Sequence, residues 1–291
     1  MKKILFCYLI TASASGLFAQ PGVNKFVPLF NGRDLSGWDT YLGKPDSSAQ
    51  IPGLARNDQG KYTEAVGLNR DPLGVFTVVQ EEGQPAIRIS GEVFGAITSQ
   101  RAYDNFHLRL QFKWGERRFP PRQTQQRDSG ILYYCVGEPG QNGYFWLESQ
   151  ECQVQEGDCG DYWAVDKARA DITAVADTGH TPASPRYRYD RKGSPVVFGY
   201  GTVGGPRCWK ATDYEKPTGE WNTVDIIAYR GTVRHLINGK ENQVITRSRH
   251  RVNDREVPLT KGRIQIQSEG AEVFYRRIEI KPLSRMPGTN P

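Results

Sequence analysis

Beyond its first twenty residues the chain has no apolar run long enough to cross a bilayer as a helix, which excludes a further span of that kind. Cysteine is scarce, at five residues, and no two stand in a CxxC pair; the four histidines show no HxxxH spacing. The usual zinc frameworks are therefore excluded, and a structural zinc loses to disulfides as a reading of the cysteines. Basic residues outnumber acidic ones, 38 to 32, yet they gather only at Arg247–Arg251 and Arg186–Arg188. Without a concentrated basic stripe, nucleic acid is not an expected partner. Long amphipathic helical patterns, internal repeats and low-complexity linkers are also wanting.

The beginning, MKKILFCYLITASASGLFAQ, has two lysines, an apolar stretch and then small residues. That order is the one a secretory signal peptide needs, so residues 1–19 are expected to be removed after Ala19, although Leu17 is larger than the cleavage rule prefers. The mature protein is expected to be periplasmic or secreted. Lys2 and Lys3 account for two of the formal charges in the net +6. Four cysteines then remain, Cys135, Cys152, Cys159 and Cys208. An even number in an oxidising compartment implies two disulfides, with Cys152–Cys159 favoured because a turn at Gln155–Asp158 would bring them together.

Short strand patterns bounded by Gly, Pro, Asn and Asp recur through the rest. Phe106-His-Leu-Arg-Leu-Gln-Phe112 alternates strictly, so Phe106, Leu108, Leu110 and Phe112 share a core face while His107, Arg109 and Gln111 point away, His107 to solvent. Asn238-Gly239 predicts a type I′ hairpin. Many such strands joined by turns predict an all-β sandwich of two packed antiparallel sheets, read as one domain over residues 26–285. Pro45–Leu73 and Ala164–Pro217 break the rhythm as long loop insertions, of the sort that build binding sites.

Several motifs follow one another in a specific order: Leu29-Phe-Asn-Gly-Arg-Asp-Leu-Ser-Gly-Trp38, Gly95-Ala-Ile-Thr-Ser99, Asp128-Ser-Gly-Ile131, Glu151-Cys-Gln-Val154, Gly219-Glu-Trp-Asn-Thr223 and Gly262-Arg-Ile-Gln-Ile-Gln267. In this succession, from about Phe26 to Leu283, the chain resembles the DUF1080 or 3-keto-disaccharide hydrolase family. It departs from the family at Asp128, where asparagine is commoner, at Gln111, and in the cysteine-bearing insertion. The resemblance implies a concanavalin A-like jelly roll and a hydrolase or lyase of glycosides already oxidised to a 3-ketone. A sugar oxidoreductase would then act upstream.

The stretch Leu147–Trp163, LESQECQVQEGDCGDYW, concentrates the candidate chemistry. Period-two geometry puts Glu151, Gln153 and Gln155 on one face and Cys152 and Val154 on the other. A retaining glycosidase needs two carboxylates about 5–5.5 Å apart, and jelly-roll glucanases supply them from an E-x-D-x-E strand. Here amides stand in two of those places, which counts against double displacement unless Asp158 or Asp161 bends back. Elimination from a 3-keto sugar asks only for one base, a donor to the enolate and a proton source. Glu151 is therefore the candidate base or metal ligand, and His180 the candidate acid or metal ligand. Gln153, Gln155, Asp128 and Asp161 are candidate sugar contacts, Arg101 and Arg109 cationic stabilisers, and Trp163 a stacking platform. A divalent metal stays an open alternative: Asp158 and Asp161 flank Cys159-Gly160 and could bind Ca²⁺, although their spacing lacks an EF-hand ligand series. Two other functions also stay open, a lectin-like module on the same fold and an ordinary glycosidase.

Overall fold

The computed structural model describes residues 25–177 and 186–288. The expected signal peptide and His180 lie outside the described residues. Among those described there is no α-helix, only a short 3₁₀ turn at Gln141–Gly143.

Strands pair antiparallel into a twelve-stranded and a nine-stranded sheet, a jelly-roll sandwich. The larger, here the back sheet, has at its middle the strands Thr232–Ile237, Asn222–Tyr229, Phe106–Arg118 and Ala271–Pro282, in that spatial order. The smaller, here the site sheet, runs Arg207–Cys208, Tyr162–Val165, Glu148–Gln155, Asp128–Val136, Lys261–Ser268, Gly95–Ser99, Trp38–Leu42 and Gly67–Leu68. The inner faces of both sheets share one core. Phe106, Leu108, Leu110 and Phe112 from the back sheet meet Ile131, Cys152, Val154, Tyr162, Ile264 and Ile266 from the site sheet. Alternation in the sequence thus becomes burial, because side chains two apart fall on the same side of a pleated strand.

His107 does not face solvent as its parity alone suggested. On the outer side of the back sheet its Nε2 lies 2.6 Å from Asp225 Oδ1, beside Arg109 Nε at 2.7 Å from the same oxygen, and the ring is buried. The carboxylate drew the imidazole down onto the sheet.

The disulfides are not formed: Cys135, Cys152, Cys159 and Cys208 are all free and buried. The register explains why. Cys152 stands opposite Tyr162, and Tyr162 opposite Cys208. Two ladder spacings of about 4.7–4.9 Å separate Cys152 from Cys208, beyond the reach of about 7 Å between Cα atoms that a disulfide tolerates. The favoured partner of Cys152 was Cys159, but Tyr162 fills the position across the ladder and Cys159 sits beyond it in the turn. Cys135 is on the other face altogether. Tyr134 takes φ of 57°, which sends its ring into the core 5.8 Å from Phe106 and leaves Cys135 outside with Leu132 and Leu147.

Candidate active site

The outer face of the site sheet is polar where the core-facing side is apolar, and hydrogen-bonded register aligns its residues in rows. One row reads Arg207, Trp163, Glu151, Leu132, Gln265, Thr98 across six strands. In the next row Gln153 pairs with Gly130. Beyond it Gln155 pairs with Asp128 and donates from Nε2 to Asp128 Oδ2 at 2.7 Å. Glu151, Gln153 and Gln155 share the outer face as strand parity predicted, and the register brings Asp128 and Trp163 beside them.

Gly130 makes room for the centre. A Cβ built there would lie 2.1 Å from Glu151 Oε1 and 2.3 Å from Gln267 Oε1. Both side chains therefore converge over the same bare Cα, and the Gln267 amide oxygen has no hydrogen-bond partner within the protein. Glu151 is buried with no cation of its own. Loss of water, then the charge of Asp128, push its carboxyl far above the ordinary carboxylate range, with Arg207 opposing.

Asp128 and Glu269 form a second acidic pair around Arg122. The guanidinium reaches Asp128 Oδ2 at 2.5 Å and Glu269 Oε1 at 3.3 Å. Burial lifts the Asp128 carboxyl to about 7 against the pull of Arg122, and burial with the nearby Asp128 charge lifts Glu269 well above its usual range. Two carboxyls next to one another in a dry place do not both ionise easily, so near neutral pH this pair holds a proton. Gly270, at φ 79°, lets the chain turn here while the Arg122 stem lies where its Cβ would be, 2.9 Å away.

On the opposite flank Arg207 holds the turn. It spans Asp161 at 2.5 Å and Asp158 at 2.8 Å, with its guanidinium 5.5 Å from the Trp163 ring centre and 4.5 Å from that of Trp209. Asp161 also accepts the Lys210 backbone N–H at 2.8 Å and is wholly buried. Burial raises its carboxyl to about 6 even so. Its oxygens are committed to Arg207 and Lys210, so Asp161 braces the site and is not a free sugar contact.

Two sequence candidates lie elsewhere. Arg109 is on the outer side of the back sheet, bound to Asp225 and 5.0 Å from the Phe26 ring centre, with the whole core between it and Glu151. Arg101 is exposed in the turn after Gly95–Ser99, over Tyr103 at 5.9 Å. The cations near Glu151 are instead Arg122 and Arg207, which come from loops or a two-residue strand where no periodicity marks them. Gln267 carries a signal, since Gly262–Gln267 alternates and closes the ordered series of motifs. Glu269 carried none.

Four buried polar atoms on or beside this face have no partner in the protein: Asp128 Oδ1, Arg122 Nε, Trp163 Nε1 and Gln267 Oε1. Buried polar atoms are normally satisfied, so a cluster of exceptions on one sheet face marks a place where a hydroxylated ligand would supply the missing bonds. Among the described residues no group of three or more His, Cys, Asp or Glu is arranged to hold a metal ion.

The sequence family described as 3-keto-alpha-glucoside-1,2-lyase-like domain matches residues 25–281. The chain belongs to that family. Membership places it among carbohydrate-active enzymes. Solved structures similar to it include two proteins of Parabacteroides distasonis provisionally assigned as glycosyl hydrolases. One is 20% identical with TM-score 0.48 over 89% of this chain and 94% of that one. The other is 18% identical with TM-score 0.46 over 89% and 100%. A carbohydrate-binding module of Bacillus subtilis is 8% identical with TM-score 0.40 over 71% and 91%. No curated protein matches the chain. No helix among the described residues of this lyase-like family member is long and apolar enough to cross a membrane.

Proposed function

We propose that the protein cleaves 3-keto glycosides by elimination. Ionised Glu151 removes the proton at C2, which the neighbouring ketone has acidified, and the electrons pass into an enolate. They return to expel the glycosidic oxygen from C1, forming the C1–C2 double bond. The leaving oxygen takes a proton, and hydration of the unsaturated product completes a net hydrolysis. The upstream step must be an oxidation of a sugar C3 hydroxyl, the work of an oxidoreductase.

The observation that carries this reading is the buried carboxyl of Glu151, which has no cation bound to it, whereas Asp128, Glu269 and Asp161 are each held by an arginine. The nearest strand carboxylate, Asp128, is already held by Arg122 and Gln155 and pairs four residues along the strand from Glu151. A retaining pair needs its second carboxylate free to attack the sugar, and Asp128 is committed to that guanidinium and that amide. A carboxylate base with a raised pKa is a stronger base once ionised, and carbon acids need one. Gln153 and the unpartnered Trp163 Nε1–H would donate to the sugar or its enolate. The Asp128–Glu269 pair, with Asp128 near 7, is suited to return a proton to the leaving oxygen.

Incubation with a 3-keto disaccharide and with its unoxidised parent tests the proposal. Only the keto sugar should be cleaved, and product mass separates the unsaturated sugar from its hydrate. Cleavage of the parent at a similar rate would point to an ordinary glycosidase, and binding without cleavage to a lectin. Glu151→Gln should lower kcat/KM on the keto sugar by roughly 10²–10⁴ while the folded protein stays intact; unchanged turnover would remove Glu151 as the base. The ascending limb of the pH profile should lie well above the ordinary carboxylate range, because the base works only when ionised. We also infer export, on the lysine-led apolar start. Protein recovered from the periplasm or medium should begin at Gln20.

A further inference from the structure

A second concavity lies along the same strands, lined by Glu148 of the strand that bears Glu151 and by Val165 of the strand that bears Trp163. Its volume is about 840 Å³. Trp163 and Val165 are two residues apart and so share a face, about 7 Å apart along the strand. Pockets of about 300–1,000 Å³ enclose ligands of several rings, so this one is larger than one monosaccharide requires.

The walls are unequal. Phe145 and Trp146 are fixed: their rings meet edge to face at 4.7 Å, Trp146 stacks on Phe94, and Phe145 occupies the space a Cβ on Gly43 would need. Tyr144 and Tyr200 are not packed away, at 65% and 58% exposure, although both line the same hollow. The charge of Glu151 and the neighbouring Tyr144 both act on the Tyr200 hydroxyl. The Glu148 carboxyl and His250 Nδ1 are hydrogen-bonded to each other at the wall, and they offer polar atoms at the edge of anything lying on the tyrosines. Exposed aromatic faces beside a polar pair suit a ring with an apolar face and hydroxyls on its rim.

We propose that this hollow is the leaving-group site, holding a ring-bearing aglycone against Tyr144 and Tyr200 while the keto sugar sits at Glu151. The proposal rests on the keto-glycoside reading for its reaction but not for its binding. Two sources share the chemistry, a second sugar ring and a phenolic ring.

The test compares three substrates, methyl 3-keto-glucoside, a 3-keto disaccharide and a phenyl 3-keto-glucoside, in native protein and in Tyr144→Ala. The variant should lose about tenfold in kcat/KM on a ring-bearing substrate, the worth of one good aromatic contact, and keep its rate on the methyl compound. Whichever ring depends on Tyr144 identifies the source. Equal losses on all three, or none, would overturn the proposal. Calorimetric titration with glucose and with phenol reads the hollow even if no keto sugar is cleaved. Binding of one of them that weakens in Tyr144→Ala supports the site, and binding of neither, or equal binding by both proteins, refutes it. Failure of cleavage with retained binding would sink the reaction and leave the site.

Discussion

Gly130 lies beneath the two oxygens that define the centre, and any side chain there would displace one of them. Gly130→Ala should cost roughly 1–3 kcal/mol of stability, as overpacking of a tight site does. It should also cut kcat/KM on the keto sugar at least about tenfold, since Glu151 must move. Denaturant titration and steady-state kinetics on the same preparation check both numbers, and an unchanged rate would mean that Glu151 is not held by this contact. The sequence shows Gly130 only as one letter of Asp128–Ile131. Its reason is steric and becomes visible when Lys261–Ser268 pairs with Asp128–Val136 and brings Gln267 alongside. Asp161 shows the reverse case: its place in the polar stretch was legible, but its role as a brace came from Arg207, which is 46 residues away in sequence.

At the scale of the element, parity did most of the work. The strand Glu148–Gln155 presents Glu151 and Gln153 outward and Cys152 and Val154 inward, as its alternation required. Parity failed where a strand is irregular. The positive φ at Tyr134 reversed the faces after it, so Cys135 lies on the outer side of the sheet while Cys152, Cys159 and Cys208 stay in the core. The turn after this strand is held by charge. Arg207→Ala would leave Asp161 buried without its cation, and the fold should lose roughly 3–5 kcal/mol, as when one partner of a buried pair is removed. Melting in denaturant measures the loss; a change under about 1 kcal/mol would mean that Asp161 finds water or Lys210 instead. Trp163, which the guanidinium flanks, should become more accessible to fluorescence quenchers in the same variant.

The whole molecule depends on a buried polar contact between its sheets. His235 of the back sheet meets the Tyr133 hydroxyl at 2.9 Å, and burial lowers the imidazole to about 3. The unfolded chain, whose histidine titrates near 6.5, therefore binds more protons than the folded one between about pH 6.5 and 3. Stability from this group is full above the unfolded value and is lost as pH falls through that window. Raised carboxyls such as Asp128 act in the opposite direction, so His235→Gln isolates the effect. The stability difference between native protein and variant should shrink by roughly 2–3 kcal/mol from pH 7 to about pH 4.5. Denaturant titration at the two pH values measures it, and a pH-independent difference would show that His235 is not buried in neutral form.

The all-β class, the alternating core and the shared face of Glu151, Gln153 and Gln155 follow from local pattern, because a strand's period of two is a property of the backbone. The ordered motifs carried the family as well. Tertiary structure alone decided which cations stand near Glu151, since Arg122 and Arg207 arrive on irregular segments whose paths no short-range rule sets. It also decided that Arg109 belongs to Asp225 on the back sheet, away from Glu151, that Glu269 joins Asp128, and that four cysteines stay thiols. Register and sheet order determine distances between residues far apart in the chain, and a single residue at positive φ is enough to exchange the two faces of a strand.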